Sequence, residues 1–271
     1  MRKKIIIIIW LILYLLLISL ILLYKLKGDT FLVMSNVNSK STIVMKVDDG
    51  SILYQENIHQ KMLPASLTKV LTALTTYKNI DLQKTVFIDK YINQCVGSKI
   101  YLEEGDTIKV IDLLYGLILQ SGNDAAKALQ YAYSNNPDDF IYKMNEEVKK
   151  LNLKNSSFNN SSGLDEKEYN YTTTYDFAVI TKEALKYPFL KDLLCTKNYK
   201  IVLDNKVLYL KHKHKLIFNS NYIIGGKTGF TKKAGRTLVS IVNKNNQFFI
   251  IVTFNDSNDW KTHTFLANKF C

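Results

Sequence analysis

Strand-forming segments stand at both ends of this chain and helix-forming ones lie between them, which limits the fold more than any other feature. Residues 41–47 alternate and are rich in β-branched side chains, residues 51–57 read as a second extended run, and Asp48-Asp49-Gly50 separates the two. An Asp-Gly step between such runs predicts a β-hairpin. After Pro64, apolar residues at Leu67, Val70, Leu71 and Leu74 repeat at helical spacing and predict a helix over 66–77. Further helices are expected at 110–119, 124–133, 140–151 and 174–186, the last stopping before Pro188. Alternation returns at 200–210, 237–242 and 248–254, the last two joined across 243–246, and a final helix is expected at about 260–270. The simplest arrangement is one domain: a sheet built from both ends of the chain, with a helical lobe inserted.

Residues 5–24 form an apolar run broken only by Ser19. At ~1.5 Å per residue a helix of this length reaches about 30 Å, enough to cross a bilayer. Arg2, Lys3 and Lys4 precede it and place the N-terminus on the cytoplasmic side. A cleaved secretory signal is the competing reading. The run is longer than a usual signal core, and Tyr24-Lys25-Leu26-Lys27 follows it in place of a small-residue cleavage site. The expected layout is a single-pass membrane anchor at 1–27, a polar connector at 28–40 and the folded domain at 41–271, outside the cytoplasm.

The formal charge of +12 owes five basic residues to the anchor region, and from residue 28 onward 31 basic residues face 24 acidic ones. A solvated lysine-rich surface accounts for this excess, and attraction to anionic polymers is the sharper reading. No nucleic-acid partner is expected, since no basic-aromatic motif stands out. Cys95, Cys195 and Cys271 are odd in number and widely spaced, which suggests neither a disulfide framework nor a zinc site. His212 and His214 alternate with lysines and could bind metal, but solvated polar side chains on the surface are the expected account. No metal or cofactor is expected.

Three short motifs carry chemistry: Ser66-Leu67-Thr68-Lys69, Ser121-Gly122-Asn123 and Lys227-Thr228-Gly229. Ser66 and Lys69 stand three apart at a predicted helix start, so they share one face with Cβ atoms ~5–6 Å apart. A lysine beside a serine hydroxyl can take its proton only when neutral, which requires desolvation or nearby positive charge. Lys227 could supply that charge. Taken alone, Ser66–Lys69 is better read as a polar helix start with an exposed lysine, and Ser121–Asn123 reads as an ordinary turn between helices with Asn123 as N-cap. Functionally, Ser121 would relay a proton to a leaving amine and Asn123 would donate to a substrate carbonyl. Glycines around Lys227 would let a peptide backbone pair along an edge strand, with Lys227 and Thr228 meeting a terminal carboxylate. A phosphate-binding loop is excluded, because the spacing of its glycines and lysine is absent.

In their order and spacing these motifs, with Asn160-Ser161-Ser162-Gly163-Leu164, Thr173-Thr174-Tyr175-Asp176 and Phe230-Thr231, resemble the D-alanyl-D-alanine carboxypeptidases, the low-molecular-mass penicillin-binding proteins. The likeness covers approximately residues 30–271. It implies an α+β fold, an antiparallel sheet flanked by helices with an inserted all-helical lobe and the active site in the cleft between. It implies Ser66 as nucleophile toward the terminal D-Ala-D-Ala bond of a peptidoglycan stem peptide, Lys69 as base and Ser121 as relay. Asn123, Lys227, Thr228, Gly229 and Phe230 would bind substrate, and the backbone N–H groups of Ser66 and Phe230 would form the oxyanion hole. β-Lactam antibiotics would trap the same acyl-enzyme. Relatives often carry an arginine near the positions of Asp259 and Trp260; its absence there leaves more of the carboxylate recognition to Lys227 and Thr228. With the chain stopping at Cys271, the tether is expected to be N-terminal alone. A β-lactamase would need a water-activating glutamate in a loop between the second and third motifs, and Glu166 and Glu168 lie in a different context. A transpeptidase shares the motifs, since they do not dictate the acyl acceptor. A membrane-tethered peptidoglycan-binding module with a degenerate site is the non-enzymatic reading, and the intact catalytic residues argue against it.

Overall fold

The computed structural model describes residues 10–12, 14–20, 22, 36–165, 168–204 and 206–271. The chain divides into two units, Met1–Asn38 and Ser39–Cys271. In the first, the described residues between 10 and 22 are helical and exposed, and most of the apolar run expected to anchor the chain lies outside the described residues. Among the described residues, no helix is long and apolar enough to cross a membrane. Glu166 also lies outside them.

The second unit contains a five-stranded antiparallel sheet of β1 (Ser39–Lys46), β2 (Ile52–Glu56), β7 (Ile223–Thr231), β8 (Gly235–Lys244) and β9 (Gln247–Asp256). The strands lie in the order β2-β1-β9-β8-β7. Both ends of the chain therefore contribute to one sheet, as the pattern required. The first hairpin turns at Asp48-Asp49-Gly50, where Gly50 takes a φ of 77° that an L side chain resists. The β8–β9 hairpin closes through Asn245 and Asn246, both at positive φ, between the paired Lys244 and Gln247. Two central residues with φ > 0 match the twist of the flanking strands.

Between these segments lie α1 (Thr68–Asn79), α2 (Val110–Leu119), α3 (Asn123–Tyr133), α4 (Pro137–Lys150), α5 (Thr174–Leu185) and α6 (Pro188–Cys195). Every residue of α1 from Thr68 to Thr76 is buried, because α2 to α6 all pack around it. α5 starts where Thr173 accepts a hydrogen bond from Asp176 N at 3.0 Å, an N-cap that satisfies an otherwise orphan donor. A single turn, α7 (Leu216–Asn219), precedes β7, and a last helix, α8 (Asp259–Phe270), follows β9. Phe254 of β9 meets Phe177 of α5, while the neighbouring Thr253 meets His263 of α8. Successive strand residues point to opposite faces, so α5 and α8 cover the two sides of the sheet.

Three differences from the sequence reading have local causes. Pro188 begins a helix as well as following one, since its missing N–H costs nothing in a first helical turn. The run 200–210 is two strands, β5 (Asn198–Val202) and β6 (Val207–Lys211), paired as a separate hairpin. Two more short strands, β3 (Thr85–Phe87) and β4 (Thr107–Lys109), form another two-stranded sheet. At three residues each, they are too short for alternation to register.

Phe177 is fully buried between the lobe and the sheet. Replacing it with alanine is expected to lower stability by about 3–5 kcal/mol. Urea unfolding should show a lower midpoint with an unchanged slope, and a loss below about 1 kcal/mol would show that the two layers do not unfold together.

Candidate active site

Ser66 lies in a 3-10 turn, Ala65–Leu67, immediately before α1. Ala65 holds a φ of 49°, and Thr68 Oγ1 donates to Ala65 O at 2.8 Å. The turn thus ends with Ser66 projecting at the head of α1 and Lys69 one turn further in. Lys69 is fully buried. Its Nζ lies 3.1 Å from Ser66 Oγ, 2.8 Å from Asn123 Oδ1 and 2.5 Å from Ser162 O.

The second motif joins α2 to α3. Ser121 takes a φ of 60°, another left-handed non-glycine residue beside a reactive hydroxyl. Asn123 is the first residue of α3, and Gly122 stands at the cap position. The Asn123 amide is engaged at both ends, its oxygen accepting from Lys69 and its nitrogen donating to Val96 O at 2.6 Å. The expected donation from Asn123 to substrate therefore has only one amide hydrogen left for it. Asp124 is buried and accepts from the backbone N–H groups of Ile100 and Leu102, fastening residues 100–102 to α3.

β7 is the edge strand that carries the third motif. Lys227 is fully buried, with Nζ 2.9 Å from Ser121 Oγ and 2.8 Å from Thr228 O. A Cβ on Gly229 would stand 2.3 Å from Thr237 Oγ1 and 3.0 Å from Ser66 N. Only glycine permits that approach, and it brings the strand leading to Phe230 against the Ser66 backbone. Phe230 itself is 65% exposed, so its side chain forms part of the rim. The fold thus brings together Ser66, Lys69, Ser121, Asn123, Lys227 and Gly229, with Thr228 and Phe230 on the adjoining cleft of ≈ 340 Å³.

Burial is the main reason the Lys69 amine falls from 10.5 to about 7, and the Lys213 ammonium pushes the same way against Asp124. Lys227 is pushed well below its ordinary value, first by burial and then by Lys69 and Lys213. The charge expected from Lys227 thus comes more directly from Lys213. That lysine lines the cleft, its own value lowered by burial, and donates to Ser98 Oγ at 3.0 Å. Sequence reasoning missed Lys213 because it stands in a lysine-rich alternation with no motif of its own.

The alternation Lys211-His212-Lys213-His214-Lys215 does carry a signal in retrospect. His212 and His214 are buried, which overturns the expectation of surface histidines. His214 Nε2 lies 2.8 Å from Ser240 Oγ, and burial lowers the value of both histidines. Among the described residues, no cluster of three or more His, Cys, Asp or Glu side chains could hold a metal ion.

The block Asn160–Leu164 supports Lys69 from below. Asn160 Oδ1 accepts from Gly163 N at 2.7 Å, and Asn170 Nδ2 donates to Thr68 Oγ1 and to Asn160 O. A Cβ on Gly163, whose φ is 80°, would stand 1.8 Å from Ala65 O. This loop presents Ser162 O to the amine, and Asn170 completes it from outside the motif blocks. An arginine also reaches the neighbourhood of Asp259 and Trp260: Arg236, from β8, donates to Asp259 Oδ1 at 2.9 Å. Proximity in sequence to those two residues was the wrong place to look for it.

A sheet flanked by helices, with a serine–lysine pair, a second serine–lysine pair and an edge strand meeting between sheet and lobe, defines a serine acyl-transfer architecture of the penicillin-recognising class. The family profile for D-alanyl-D-alanine carboxypeptidase matches residues 30–258, and the chain belongs to that family. D-alanyl-D-alanine carboxypeptidase DacF of Bacillus subtilis is 35% identical over 225 residues, 81% of this chain and 58% of that protein. The chain thus spans a little over half the length of this relative. A solved D-alanyl-D-alanine carboxypeptidase from Mycobacterium tuberculosis superposes with a TM-score of 0.82 at 26% identity, covering 86% of this chain and 90% of that one. The Streptomyces K15 DD-transpeptidase gives 0.78 at 26%, covering 84% and 97%.

Removing the neighbouring positive charge must favour the protonated amine of Lys69. Lys213→Gln is therefore expected to raise the titration midpoint of Lys69 above about 7, read by NMR of labelled lysine side chains. An unchanged or lower midpoint would show that Lys213 does not act on the pair.

Proposed function

We propose that this protein is a serine-type D-Ala-D-Ala carboxypeptidase that removes the terminal D-alanine from peptidoglycan stem pentapeptides. The observation that carries the proposal is a buried lysine amine, brought to about 7, lying 3.1 Å from Ser66 Oγ. A neutral amine there can accept the serine proton near neutral pH, when an ordinary lysine cannot.

In the first half-reaction Ser66 Oγ attacks the carbonyl carbon of the penultimate D-alanine, and its proton passes to Lys69 Nζ. The developing oxyanion is met by the backbone N–H groups of Ser66 and Phe230. The close approach of Gly229 to Ser66 N supports this pairing. The C–N bond then breaks, and Ser121, held by Lys227, gives its proton to the leaving amine and regains one from Lys69, which leaves the Lys69 amine neutral again. In the second half-reaction water attacks the acyl-enzyme and gives a proton to Lys69, which passes it to Ser66 Oγ as the ester bond breaks, releasing the shortened peptide and restoring Ser66. Thr228 and Gly229 line the binding edge, and Asn123 orients Lys69. A β-lactam presents the same acyl group and carboxylate, so it would acylate Ser66 and remain.

The apolar run at 5–24 and its basic flank support attachment to the membrane by an N-terminal segment, with Ser66 outside the cytoplasm. Substrate and localisation then agree, since the stem peptide belongs to the wall.

The test uses a pentapeptide ending in D-Ala-D-Ala and a labelled penicillin, with the Ser66→Ala variant alongside. D-alanine release and a stable label on Ser66 are expected, and Ser66→Ala should lose both by roughly 10³-fold or more. Rapid penicillin turnover would replace the reading with a β-lactamase, and no reaction with either compound would refute it. The acylation rate should also fall tenfold per pH unit below about 7, as Lys69 protonates. A rate flat to about pH 5 would remove Lys69 from the role of base.

A further inference from the structure

Residues 197–215 hold six lysines, no arginine and a single acidic residue, Asp204. After residue 27 the chain carries 31 basic residues against 24 acidic, an excess of seven, and five of those seven charges stand in these nineteen residues. The basic character of the folded domain is therefore local, and none of the three motifs lies within it.

The fold turns these lysines outward. In the β5–β6 hairpin the pairs Asn198–Lys211, Lys200–Tyr209 and Val202–Val207 are exposed, while Ile201 and Leu210 are buried. Tyr199 stacks on Tyr115 of α2 with ring centres 3.6 Å apart and donates to Asp112 Oδ1 at 2.9 Å, which fixes the hairpin to the lobe. Past β6 the alternation continues, with His212 and His214 buried and Lys211, Lys213 and Lys215 exposed. His212 N donates to Lys197 O at 2.8 Å, and His214 meets Ser240, so the backbone that carries the lysines is held.

Lys197 and Lys211 converge on Phe218, with Nζ 5.9 and 5.0 Å from its ring centre, and Lys200 Nζ lies 5.9 Å from the ring centre of Tyr209. A hollow of ≈ 460 Å³ opens between Lys211, Lys213, Lys215 and Phe218, and Lys213 and Lys215 also line the active-site cleft. Among the described residues, only Lys206 of the six has carboxylates in ion-pair contact, Glu103 and Asp106. Lys213 is engaged with Ser98 and acts on Lys69. That leaves Lys197, Lys200, Lys211 and Lys215 as four like charges gathered in one strip, a repulsion that an anion relieves.

A ligand with one charge does not reach four lysines spread over two strands and the segment beyond them, whereas a polymer charged at each repeat does. The strip lacks the planar fork of arginine that matches a carboxylate. An ammonium is a compact point charge with three donors, which suits phosphoryl oxygens. A bilayer fits less well, because the hollow is concave and a flat surface seated on Lys215 would cover the cleft that Ser66 lines. The exposed Val202–Val207 pair lies at the turn end of the hairpin, away from the hollow.

We propose that Lys197, Lys200, Lys211 and Lys215 form a docking strip for a flexible polyanion that carries phosphate or phosphodiester groups along its length. The polymer lies beside the active-site cleft and leaves Ser66 open. The proposal stands independently of the carboxypeptidase reading.

The test measures binding of end-labelled inorganic polyphosphate to the full chain in vesicles of phosphatidylcholine, over a range of salt. The logarithm of the affinity should fall linearly with the logarithm of salt, with a slope of about −3, since each phosphate neutralised contributes about −0.7. The triple variant Lys197→Gln/Lys200→Gln/Lys211→Gln should flatten the slope by about 2 and weaken binding about 100-fold at about 0.1 M salt. Its thermal transition should not move, because these side chains are exposed. Should that transition be lost, the single variants Lys200→Gln and Lys211→Gln decide, each flattening the slope by about 0.7. Lys90→Gln/Lys149→Gln/Lys154→Gln removes three exposed lysines elsewhere and should change neither slope nor affinity. Equal losses in the two triple variants would reduce the effect to net charge and overturn the proposal, as would absence of polyphosphate binding. In a second arm without polymer, Lys200 and Lys211 should stay as open to amine acylation when phosphatidylglycerol is added to the vesicles. Protection by that lipid would give the strip to the bilayer and overturn the proposal.

Discussion

Two lysine amines buried within one site, with no carboxylate in salt-bridge contact among the described residues, set the terms for the rest of this structure. A buried ammonium is tolerated only if its hydrogen bonds are satisfied or its proton is given up. Lys69 has three acceptors around Nζ, enough for each of its protons when charged, yet desolvation outweighs them. The balance leaves an amine that can hold a proton or release it near neutrality. A shift from 10.5 to about 7 corresponds to about 5 kcal/mol of folding free energy below pH 7. Because the unfolded lysine binds the proton more tightly, that cost is full below about 7 and fades as pH rises toward 10.5. The compact packing of α1 among five helices offsets it, so the reactive pair depends on the core behind it.

The same demand explains the backbone at the site. Ala65 and Ser121 are non-glycine residues at positive φ, each beside or at a serine whose hydroxyl meets a lysine. Such conformations cost of order 1–3 kcal/mol each and persist where surrounding contacts over-determine them. Here the contacts are named: Thr68 on Ala65 O, Gly163 pressed against the same carbonyl, and Gly229 against Ser66 N. The glycines of the flanking blocks are therefore parts of the serine turn, although 97 and 163 residues separate them from Ser66. They serve close approach and leave the chemistry to others.

The sequence was legible where one local pattern decided the outcome. Alternation with Asp-Gly or Asn-Asn turns gave the hairpins, and apolar spacing gave α1, α2 and α3 to within two residues. The motif residues converge because two of the motifs lie at element ends, the head of α1 and the α2–α3 turn, while the third runs along the middle of the edge strand β7. What the sequence did not disclose were residues whose role depends on a neighbour from elsewhere. Lys213 acts on Lys69 across 144 positions, and Arg236 meets Asp259 from a different element. His212 and His214 misled because an alternating strand end in lysine-rich company resembles a solvated edge. In fact the lysines take the outward positions and the histidines the inward ones.

Those inward histidines connect the sheet to the cleft. Ser240 Oγ of β8 lies between His214 Nε2 at 2.8 Å and His263 Nδ1 at 2.7 Å, and His263 Nε2 meets Thr253 Oγ1 of β9 at 3.0 Å. Burial keeps His214 and His263 neutral, so each ring offers one donor and one acceptor, and the two hydroxyls can complete the chain in a single consistent direction. An apolar interface in the same place would let α8 slide by small steps at little cost. A chain of directional bonds fixes its register on β8 and β9. That register decides where the first turn of α8 falls, and its first turn carries Asp259 and Trp260. His214 packs against Trp260 as well, with ring centres 5.3 Å apart. The attitude of Arg236 in the cleft is thus set through Trp260 and Asp259 by hydroxyls and imidazoles that lie along the same face of the sheet.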